Sequence, residues 1–346
     1  MEKNYFNIAV VFTLRCSVKC PHCGFSCSPQ GGQDVTVDMV KRFCMETYEY
    51  ARANSRCLGV NLTGGEPFVR YSEMLELAEW LNRVDQGIML SCVTNGYWAS
   101  SVSRAKDLLG PLRRAGCMNI GISIDDYHLQ EVGLGRVRNA VKALIELDMS
   151  VGFKFCQMNN MRSLFECLKE VGDPFLEKSD FRFVVHSFNC LPVGRARGLS
   201  KEHFRYLPLS SLGNCALGRF TLIPDGRLLV CCGSFDFAPS LVLGEYPRET
   251  VEGLIAAFNK NDLFNLLRAR GPAYFAPFLD DAGYTVSTKS YTHICDLCHC
   301  VFRDVSTDLR KAKIIAQATK DWKHGEVNNT KVISLLESFM GVEENA

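Results

Sequence analysis

The 346-residue chain exceeds the size at which a single hydrophobic core stops growing, so we expect a large domain and a smaller one. Its 39 Lys and Arg residues balance 38 Asp and Glu residues, which argues against a polyanion-binding surface and makes nucleic acid an unexpected partner. Without a membrane-spanning apolar run or a cleavable signal, we expect a cytoplasmic protein without membrane contact, whose 17 cysteines serve as thiols and metal ligands instead of disulfides.

Strand-like and helical patterns alternate over the first part of the chain. The predicted strands are Tyr5–Thr13, Leu58–Thr63, Ile88–Thr94, Met118–Ile124, Val151–Phe155 and Phe181–His186. The predicted helices are Val37–Ala53, Ser72–Asp85, Val102–Ala115, Val137–Leu147 and Met161–Val171, with Thr36 and Ser72 as N-caps. Right-handed crossovers turn such a series into a parallel sheet, so we predict an α/β fold with a partial (βα)6 TIM-like barrel.

A second unit follows a linker that is marked by Pro192, Gly194 and Gly198. The segment Cys215–Cys232 is typical of a β-hairpin that turns at Pro224-Asp225-Gly226. Further predicted features are a helix near Val251–Arg268, a loop at Gly271–Tyr291, the sequence Cys295-Asp-Leu-Cys298-His-Cys300 and a helical tail from Asp308 to Phe339. We therefore expect a barrel domain at 1–200, a small β-hairpin and helix domain at 201–305 and a C-terminal helical tail at 306–346.

Three cysteines with the spacing C-x3-C-x2-C, Cys16, Cys20 and Cys23, directly follow the first strand. A [4Fe-4S] cluster normally takes four thiolates, so three leave one iron open to a ligand that is not protein. A structural zinc site is the alternative, and its fourth ligand would be Cys27 or His22. The C-terminal ends of barrel strands carry the chemistry in such folds, and Cys16 lies just past one.

The cysteine motif, with the aromatic His22 before its last cysteine, resembles that of the radical S-adenosylmethionine (SAM) superfamily. Gly64-Gly65-Glu66-Pro67, after the second strand, is similar to the glycine-rich motif of the same superfamily. The resemblance implies that this segment holds the methionine ammonium of SAM. Glycines allow a close backbone approach to a ligand, and a proline fixes the turn that follows.

Four further places in the chain are candidates for SAM contacts, substrate contacts or acid–base chemistry. The resemblance implies that Thr94 and Asn95, after the third strand, and Ser123 and Asp125, after the fourth, reach the carboxylate and ribose of SAM; each is also a common turn residue. Candidates for a base are Asp125, Asp126, His128 and His186. We predict that Arg195, beside Arg197, holds a carboxylate of SAM or substrate.

A second cysteine group indicates the subclass. Cys215, followed by Gly226 and Cys231, resembles the opening of a SPASM or twitch auxiliary-cluster domain, and Cys295 and Cys298 supply a second pair. The set of cysteines is shorter than a complete SPASM domain requires, which implies the twitch arrangement with one auxiliary [4Fe-4S] cluster. A zinc ribbon on the same four cysteines stays open. The roles of three nearby thiols are undecided: Cys27, Cys232 and Cys300.

The resemblance implies an oxidoreductase that reductively cleaves SAM to a 5′-deoxyadenosyl radical and modifies a substrate by hydrogen abstraction. An external one-electron reductant of flavodoxin or ferredoxin type would supply the electron. We expect a ribosomally synthesised peptide as substrate, matured by a crosslink, thioether or related change. Two alternatives stay open: a twitch-type dehydrogenase or other enzyme acting on a small metabolite, and a structural iron–sulfur or zinc protein.

Overall fold

Parallel strands in chain order form the main sheet of the protein. The computed structural model describes residues 4–172, 183–213, 215, 217–231 and 241–324. The strands are β1 Tyr5–Thr13, β2 Cys57–Gly64, β3 Met89–Thr94, β4 Cys117–Ser123, β5 Ser150–Gln157, β6 Phe183–Asn189, β7 Leu207–Pro208, β8 Thr221–Leu222, β9 Arg227–Leu229, β10 Val242–Glu245 and β11 Ser290–Tyr291.

Helices alternate with these strands over the first part of the chain, and α1, α3 and α5 contact β1, β2, β4 and β5 of the sheet. They are α1 Val37–Ala53, α2 Tyr71–Val84, α3 Val102–Arg114, α4 Asp126–Val132, α5 Leu134–Glu146, α6 Leu164–Gly172, α7 Val251–Lys260, α8 Asp262–Arg270, α9 Ala276–Asp281, α10 Ile294–Phe302 and α11 Leu309–His324. None of the helices in the described ranges is long and apolar enough to cross a bilayer.

The two faces of β1 differ in chemistry because side chains alternate along a strand. Phe6, Ile8 and Val10 are buried in the main core against the helices, whereas Asn7 is exposed and Ala9 half-buried on the other side. Residues that pair across neighbouring strands point to the same face, so the register identifies the residues of β2 to β6 that share this second side. We call it the concave face. Along β1 to β3 the residues on this face are mostly half-buried, and Asn7 is exposed.

The predicted α/β fold with a parallel sheet is confirmed, with β1 and α1 at the predicted residues. Thr36 is the N-cap of α1, since its side chain accepts a hydrogen bond from Met39 N. Ser72 is not a cap: a 3₁₀ turn at Pro67–Arg70 runs directly into α2, so Ser72 lies inside the helix. The sequence pattern also missed α4, which begins at the residue after Asp125.

The hairpin of the second unit continues the main sheet instead of standing apart from it. β8 and β9 form the predicted antiparallel pair, and β8 also pairs in parallel with β1, Thr221 opposite Ala9. The strand order is β10-β9-β8-β1-β2-β3-β4-β5-β6, so β10 and β6 are the sheet edges in the described ranges. Cys232, predicted to end the hairpin, lies outside the described residues.

The C-terminal part is more helical than predicted. The single helix expected near Val251–Arg268 is two, because Asn261 ends α7 and its side chain caps α8 by accepting from Phe264 N. The segment expected to be a loop at 271–291 contains α9 and a 3₁₀ turn that buries Tyr274 and Phe275. The predicted tail is described only as far as His324, and 325–346 lie outside the described residues.

Candidate functional site

The cysteine loop follows β1 and is closed by backbone hydrogen bonds. Cys16 N donates to Ser28 O over 3.1 Å, and Cys23 N donates to Cys20 O over 3.2 Å. Burial raises the pKa of Cys16 to about 11. Burial, followed by Asp125 and the thiols of Cys16 and Cys23, also raises the pKa of Cys20. The three predicted ligands are therefore gathered, and without a metal Cys16 and Cys20 would be protonated at neutral pH.

Cys27 lies beside the same loop and is buried. Its thiol donates a hydrogen bond to Cys23, which lowers the pKa of Cys23 and raises that of Cys27. A zinc site would need a fourth ligand at this place, whereas an open [4Fe-4S] cluster would not. Metal analysis therefore distinguishes the two kinds of site.

The segment after β6 packs directly on the cysteine loop. The Arg195 guanidinium donates to the carbonyl oxygens of Cys20, Ser26 and Cys27 at 2.6, 2.9 and 2.6 Å. A Cβ atom at Gly194, where φ is +56°, would lie 2.3 Å from Gly24 O. Arg195 thus orders the loop through its backbone. Its predicted contact with a carboxylate of SAM or substrate stays a prediction.

The Gly64-Gly65 turn brings the end of β2 against the start of the cysteine loop. A Cβ atom at Gly65 would lie 1.9 Å from Arg15 O, and one at Gly64 would lie 2.3 Å from Thr13 O. Gly65 N donates to Thr13 O over 2.8 Å. In the described structure, the close approach that requires glycine is therefore to the protein's own backbone, while the predicted approach to a ligand stays a prediction.

Glu66 connects this turn to the end of β3. Its carboxylate accepts hydrogen bonds from Thr94 Oγ1 at 2.8 Å, Asn95 N at 2.7 Å and Phe68 N at 3.1 Å. Burial raises the pKa of Glu66 to about 7, although these donors act in the opposite direction. Pro67 begins the 3₁₀ turn that follows. The carboxyl group is thus held rigidly.

Asn95 links the network to the first cysteine. Its Nδ2 donates to Ser17 Oγ at 3.0 Å and lies 3.7 Å from Cys16 Sγ. Its Oδ1 accepts from Tyr97 N at 2.9 Å. The ends of β1, β2 and β3 therefore meet in one hydrogen-bonded group at the C-terminal edge of the sheet. Hydrogen bonds to a cluster sulfur tune its reduction potential.

Asp125 lies between two imidazoles after β4. His128 Nδ1 is 2.8 Å from Asp125 Oδ2, and His22 Nε2 is 3.4 Å from Asp125 Oδ1. Burial alone would raise the pKa of Asp125, but His128 and His22 outweigh it and hold the pKa well below its usual range. His22 also stacks on Tyr127, with the ring centroids 5.1 Å apart.

The ligand atoms of His22, Asp125 and His128 all lie within 4.8 Å of one another, a grouping that could hold a metal ion. The two imidazoles already contact the carboxylate, whereas His22 Nδ1 is buried and has no hydrogen-bond partner among the described residues. The sequence analysis named His22, Asp125 and His128 separately. Nothing in the sequence indicated that the two imidazoles contact the same Asp125 carboxylate. Ser123 is buried at the end of β4.

Asp126 has a structural partner. Its carboxylate accepts from Arg162 N at 2.7 Å and from Arg162 Nε, and the same guanidinium pairs with Glu170. The role of Asp126 as a base stays a prediction.

Arg70 was missed by the sequence analysis: it is buried and donates to Phe12 O and Val35 O at 2.6 and 2.8 Å. A lone arginine before a helix gave no signal of this role.

The family model described as the radical SAM superfamily matches residues 10–150. This segment contains the cysteine loop, the Gly64-Gly65-Glu66-Pro67 turn, Asn95 and Asp125. Residues 10–150 form a radical SAM domain. Radical SAM domains use SAM and a [4Fe-4S] cluster, and the cysteine loop, the Glu66 turn, Asn95 and Asp125 all lie within this one, whereas Arg195 and Arg162 lie outside it.

The radical SAM domain belongs to a chain that is similar to known proteins over most of its length. It is 23% identical over 307 residues to "Putative peptide biosynthesis protein YydG" of Bacillus subtilis (strain 168), covering 85% of this chain and 91% of YydG. Native anSMEcpe with bound AdoMet has a TM-score of 0.50 and 14% identity, covering 91% of this chain and 99% of that chain. BtrN in complex with AdoMet and 2-DOIA has a TM-score of 0.44 and 13% identity, covering 78% of this chain and 87% of that chain. The likeness to anSMEcpe shows a shared fold.

The second cysteine group lies outside the matched radical SAM segment. Burial, followed by Cys231, Cys215 and Cys295, raises the pKa of Cys298 well above its usual value. The four predicted ligands are thus neighbours in space. Cys215 precedes the β8–β9 hairpin, Cys231 follows it, and Cys295 and Cys298 are on α10. Cys300, on the same helix, accepts from Tyr291 OH at 3.7 Å. Binding of an auxiliary cluster by the four stays a prediction.

Proposed function

We propose that this protein is a radical SAM enzyme that oxidatively modifies a ribosomally synthesised peptide by hydrogen abstraction. The observation that carries the proposal is the single network in which Glu66 holds Asn95 and Asn95 reaches Cys16. This network supports the proposal because it joins the Gly64-Gly65-Glu66 turn to the first thiol of the cysteine loop. An open iron and a methionine site must be adjacent for this chemistry.

The donor set fits the groups that a radical SAM domain uses. Cys16, Cys20 and Cys23 would hold three irons, and Glu66 would face the SAM ammonium with a buried carboxyl group that an arriving cation would favour in its ionised form. When bound, the cluster and SAM supply one-electron cleavage to methionine and a 5′-deoxyadenosyl radical. The protein's part is to hold the reacting atoms and exclude water.

A peptide substrate is supported by two observations. YydG, with which the chain shares 23% identity, carries a name that refers to peptide biosynthesis. The concave face carries polar side chains that are exposed or half-buried, among them the amide groups of Asn7 and Asn61. Their oxygens suit backbone N–H donors of an extended chain. We infer that the modification is a crosslink, thioether or related maturation.

We further propose one auxiliary [4Fe-4S] cluster on Cys215, Cys231, Cys295 and Cys298. Four thiolates close a cubane, so this cluster would not bind SAM. Its role would be to accept the electron that is released when the substrate radical is oxidised. An external reductant of flavodoxin or ferredoxin type would deliver the electron for SAM cleavage.

The test is anaerobic reconstitution with iron and sulfide, followed by SAM, reductant and candidate peptides, chosen from any short open reading frame that lies beside the coding sequence. We expect 5′-deoxyadenosine by chromatography and a mass change in the peptide. The Cys16→Ala variant should give neither, whereas Cys57→Ala, at the half-buried start of β2, should give both. Absence of 5′-deoxyadenosine from the loaded protein would contradict the enzyme proposal, and its formation without peptide modification would contradict the substrate.

A further inference from the structure

One cationic side chain lies in the middle of the strands that carry the candidate site. As the structure describes β1 to β6, Lys154 on β5 is their only Lys or Arg, and no Asp or Glu occurs in them. Lys154 is half-buried there. Burying an ammonium group without an anion is costly, so a lysine at this place needs an explanation.

The sheet register directs Lys154 onto the concave face. Lys154 pairs with Ser123 on β4 and with His186 on β6, so all three share that face. A Cβ atom at Gly121 would lie 3.1 Å from Lys154 Cε, which shows that the side chain lies across β4. Gly121 precedes Ser123, so the lysine leans back along the sheet, away from the edge where Cys16 and Glu66 lie.

Arg219, two residues before β8, is a second cationic group near Lys154 and His186. Phe220 is buried in the main core and Thr221, the first residue of β8, lies opposite Ala9; the exposed Arg219 directly precedes them, and continued alternation would put it on the concave face with Thr221. Burial, followed by Arg219, lowers the pKa of Lys154. Burial, followed by Lys154 and Arg219, lowers the pKa of His186.

No carboxylate of the described residues contributes to the electrostatic surroundings of Lys154 or His186. Neither Lys154 nor Arg219 forms an ion pair within those residues. The half-buried Lys154 and the exposed His186 and Arg219 thus lie near one another, with no carboxylate of the described residues among them. A ligand carboxylate would supply the missing charge and would accept charge-assisted hydrogen bonds.

We propose that Lys154, His186 and Arg219 form a subsite that binds a carboxylate of the substrate. The inference rests on the proposed peptide substrate and deepens it: the segment that enters the concave face would carry Asp, Glu or a free C-terminus. Because Lys154 leans away from the edge that holds the SAM motifs, the carboxylate belongs to the substrate and not to the methionine part of SAM.

The test uses the full-length, anaerobically reconstituted protein with SAM bound and two small probes in calorimetric titrations. The acidic probe is N-acetyl-L-glutamate α-methylamide, and the neutral one is N-acetyl-L-glutamine α-methylamide. We expect wild type to bind the acidic probe about tenfold more tightly, the size of one charge-assisted hydrogen bond. Lys154→Met should remove the preference, and Lys154→Arg should keep it.

Two further variants distinguish a loss of carboxylate binding from a folding defect. His186→Gln, on the exposed edge strand β6, should reduce the preference only about threefold, because the lowered pKa of His186 leaves its imidazole mostly uncharged at neutral pH, unlike the ammonium group of Lys154. Lys142→Met, which removes the same charge from the exposed side of α5, should change nothing. SAM affinity should stay constant in all of them.

Equal binding of the two probes by wild type would overturn the proposal, as would an unchanged preference in Lys154→Met. A loss of SAM affinity in that variant would assign Lys154 to SAM instead. The titrations need neither SAM cleavage nor turnover, so they give a result even if the peptide of the proposed function is never modified.

Discussion

The two cysteine groups are built in different ways. The first, Cys16 to Cys23, comes from one loop, which Arg195, Asn95 and the Gly65 turn hold by hydrogen bonds and close packing. The second joins Cys231, beside the hairpin, to Cys298 on α10, far away in the sequence. A local loop can be ordered without metal, whereas ligands on distant elements meet only when the fold is complete. Metal should therefore stabilise the second region more.

The largest effect that tests this comparison is expected from Cys298→Ala. The variant should hold about four iron atoms per chain instead of about eight, because one of two cubanes is lost. SAM cleavage should continue while peptide product disappears, measured by chromatography and mass spectrometry. Cys300→Ala is the control, since that thiol already accepts from Tyr291 and should not be needed. Normal product formation by Cys298→Ala would exclude an electron-accepting role.

Gly65→Ala should be the most damaging change in the first region that leaves all thiols in place. The new Cβ would lie 1.9 Å from Arg15 O, a backbone atom that cannot move without shifting the loop. We expect a loss of about 3 kcal/mol or more in the free energy of unfolding, together with reduced iron at the first site. Urea denaturation and iron analysis measure both.

Gly135→Ala is the matched control for that substitution. Nothing lies within 4 Å of a Cβ at Gly135, which is inside α5, so stability should stay the same or rise by up to about 1 kcal/mol. Equal stability of the two variants would mean that the turn is not packed as described.

From the raised pKa of Glu66 we predict that the free energy of unfolding of the metal-free protein depends on pH. The Glu66 pKa of about 7 in the folded state lies above the ordinary 4.5, so the folded protein binds an extra proton between these values. The stabilisation is complete below pH 4.5 and is lost as the pH rises through about 7, by at most about 3 kcal/mol. Urea unfolding across this range should show the slope in wild type and not in Glu66→Gln. If the stability of wild type and of Glu66→Gln changed with pH in the same way, the assignment of this pH dependence to Glu66 would be wrong.

Apart from the controls, substitution of Arg195 should have the smallest effect on the free energy of unfolding among these changes. Arg195→Met removes hydrogen bonds to three carbonyl oxygens of the cysteine loop and should cost about 2 kcal/mol. The loaded protein should lose iron to a chelator faster, whereas SAM affinity, once the cluster is in place, should change little. Arg195→Lys should recover part of the stability. A large loss of SAM affinity at unchanged stability would instead support the predicted carboxylate contact.

The parts of the fold that the sequence predicted are those with strong periodicity. β1 and α1 were placed at the observed residues because alternation and capping by Thr36 agree. The α4 helix was missed because Asp125 and Asp126 are typical turn residues, and its few residues carry too little periodicity. The pairing of β8 with β1 joins distant segments through two residues, which no local pattern can indicate.

The candidate site shows the same limit. Spacing predicted the cysteine loop and the Glu66 turn because both are contiguous in sequence. It could not predict that Arg195 donates to the loop backbone, or that Asp125 lies between two imidazoles, since these contacts depend on which strand ends become neighbours. The glycines show how a motif can be recognised while the contacts that require it, here with Thr13 and Arg15, stay hidden.

The central claim is that Cys16, Cys20 and Cys23 hold a cluster with one iron open to SAM. The most direct measurement is electron paramagnetic resonance of the anaerobically reduced Cys298→Ala protein, which leaves only the first cluster, recorded with and without SAM. We predict a [4Fe-4S]⁺ signal that changes in shape and g-values when SAM is added. A signal that SAM leaves unchanged, or zinc instead of iron at this site, would contradict the account.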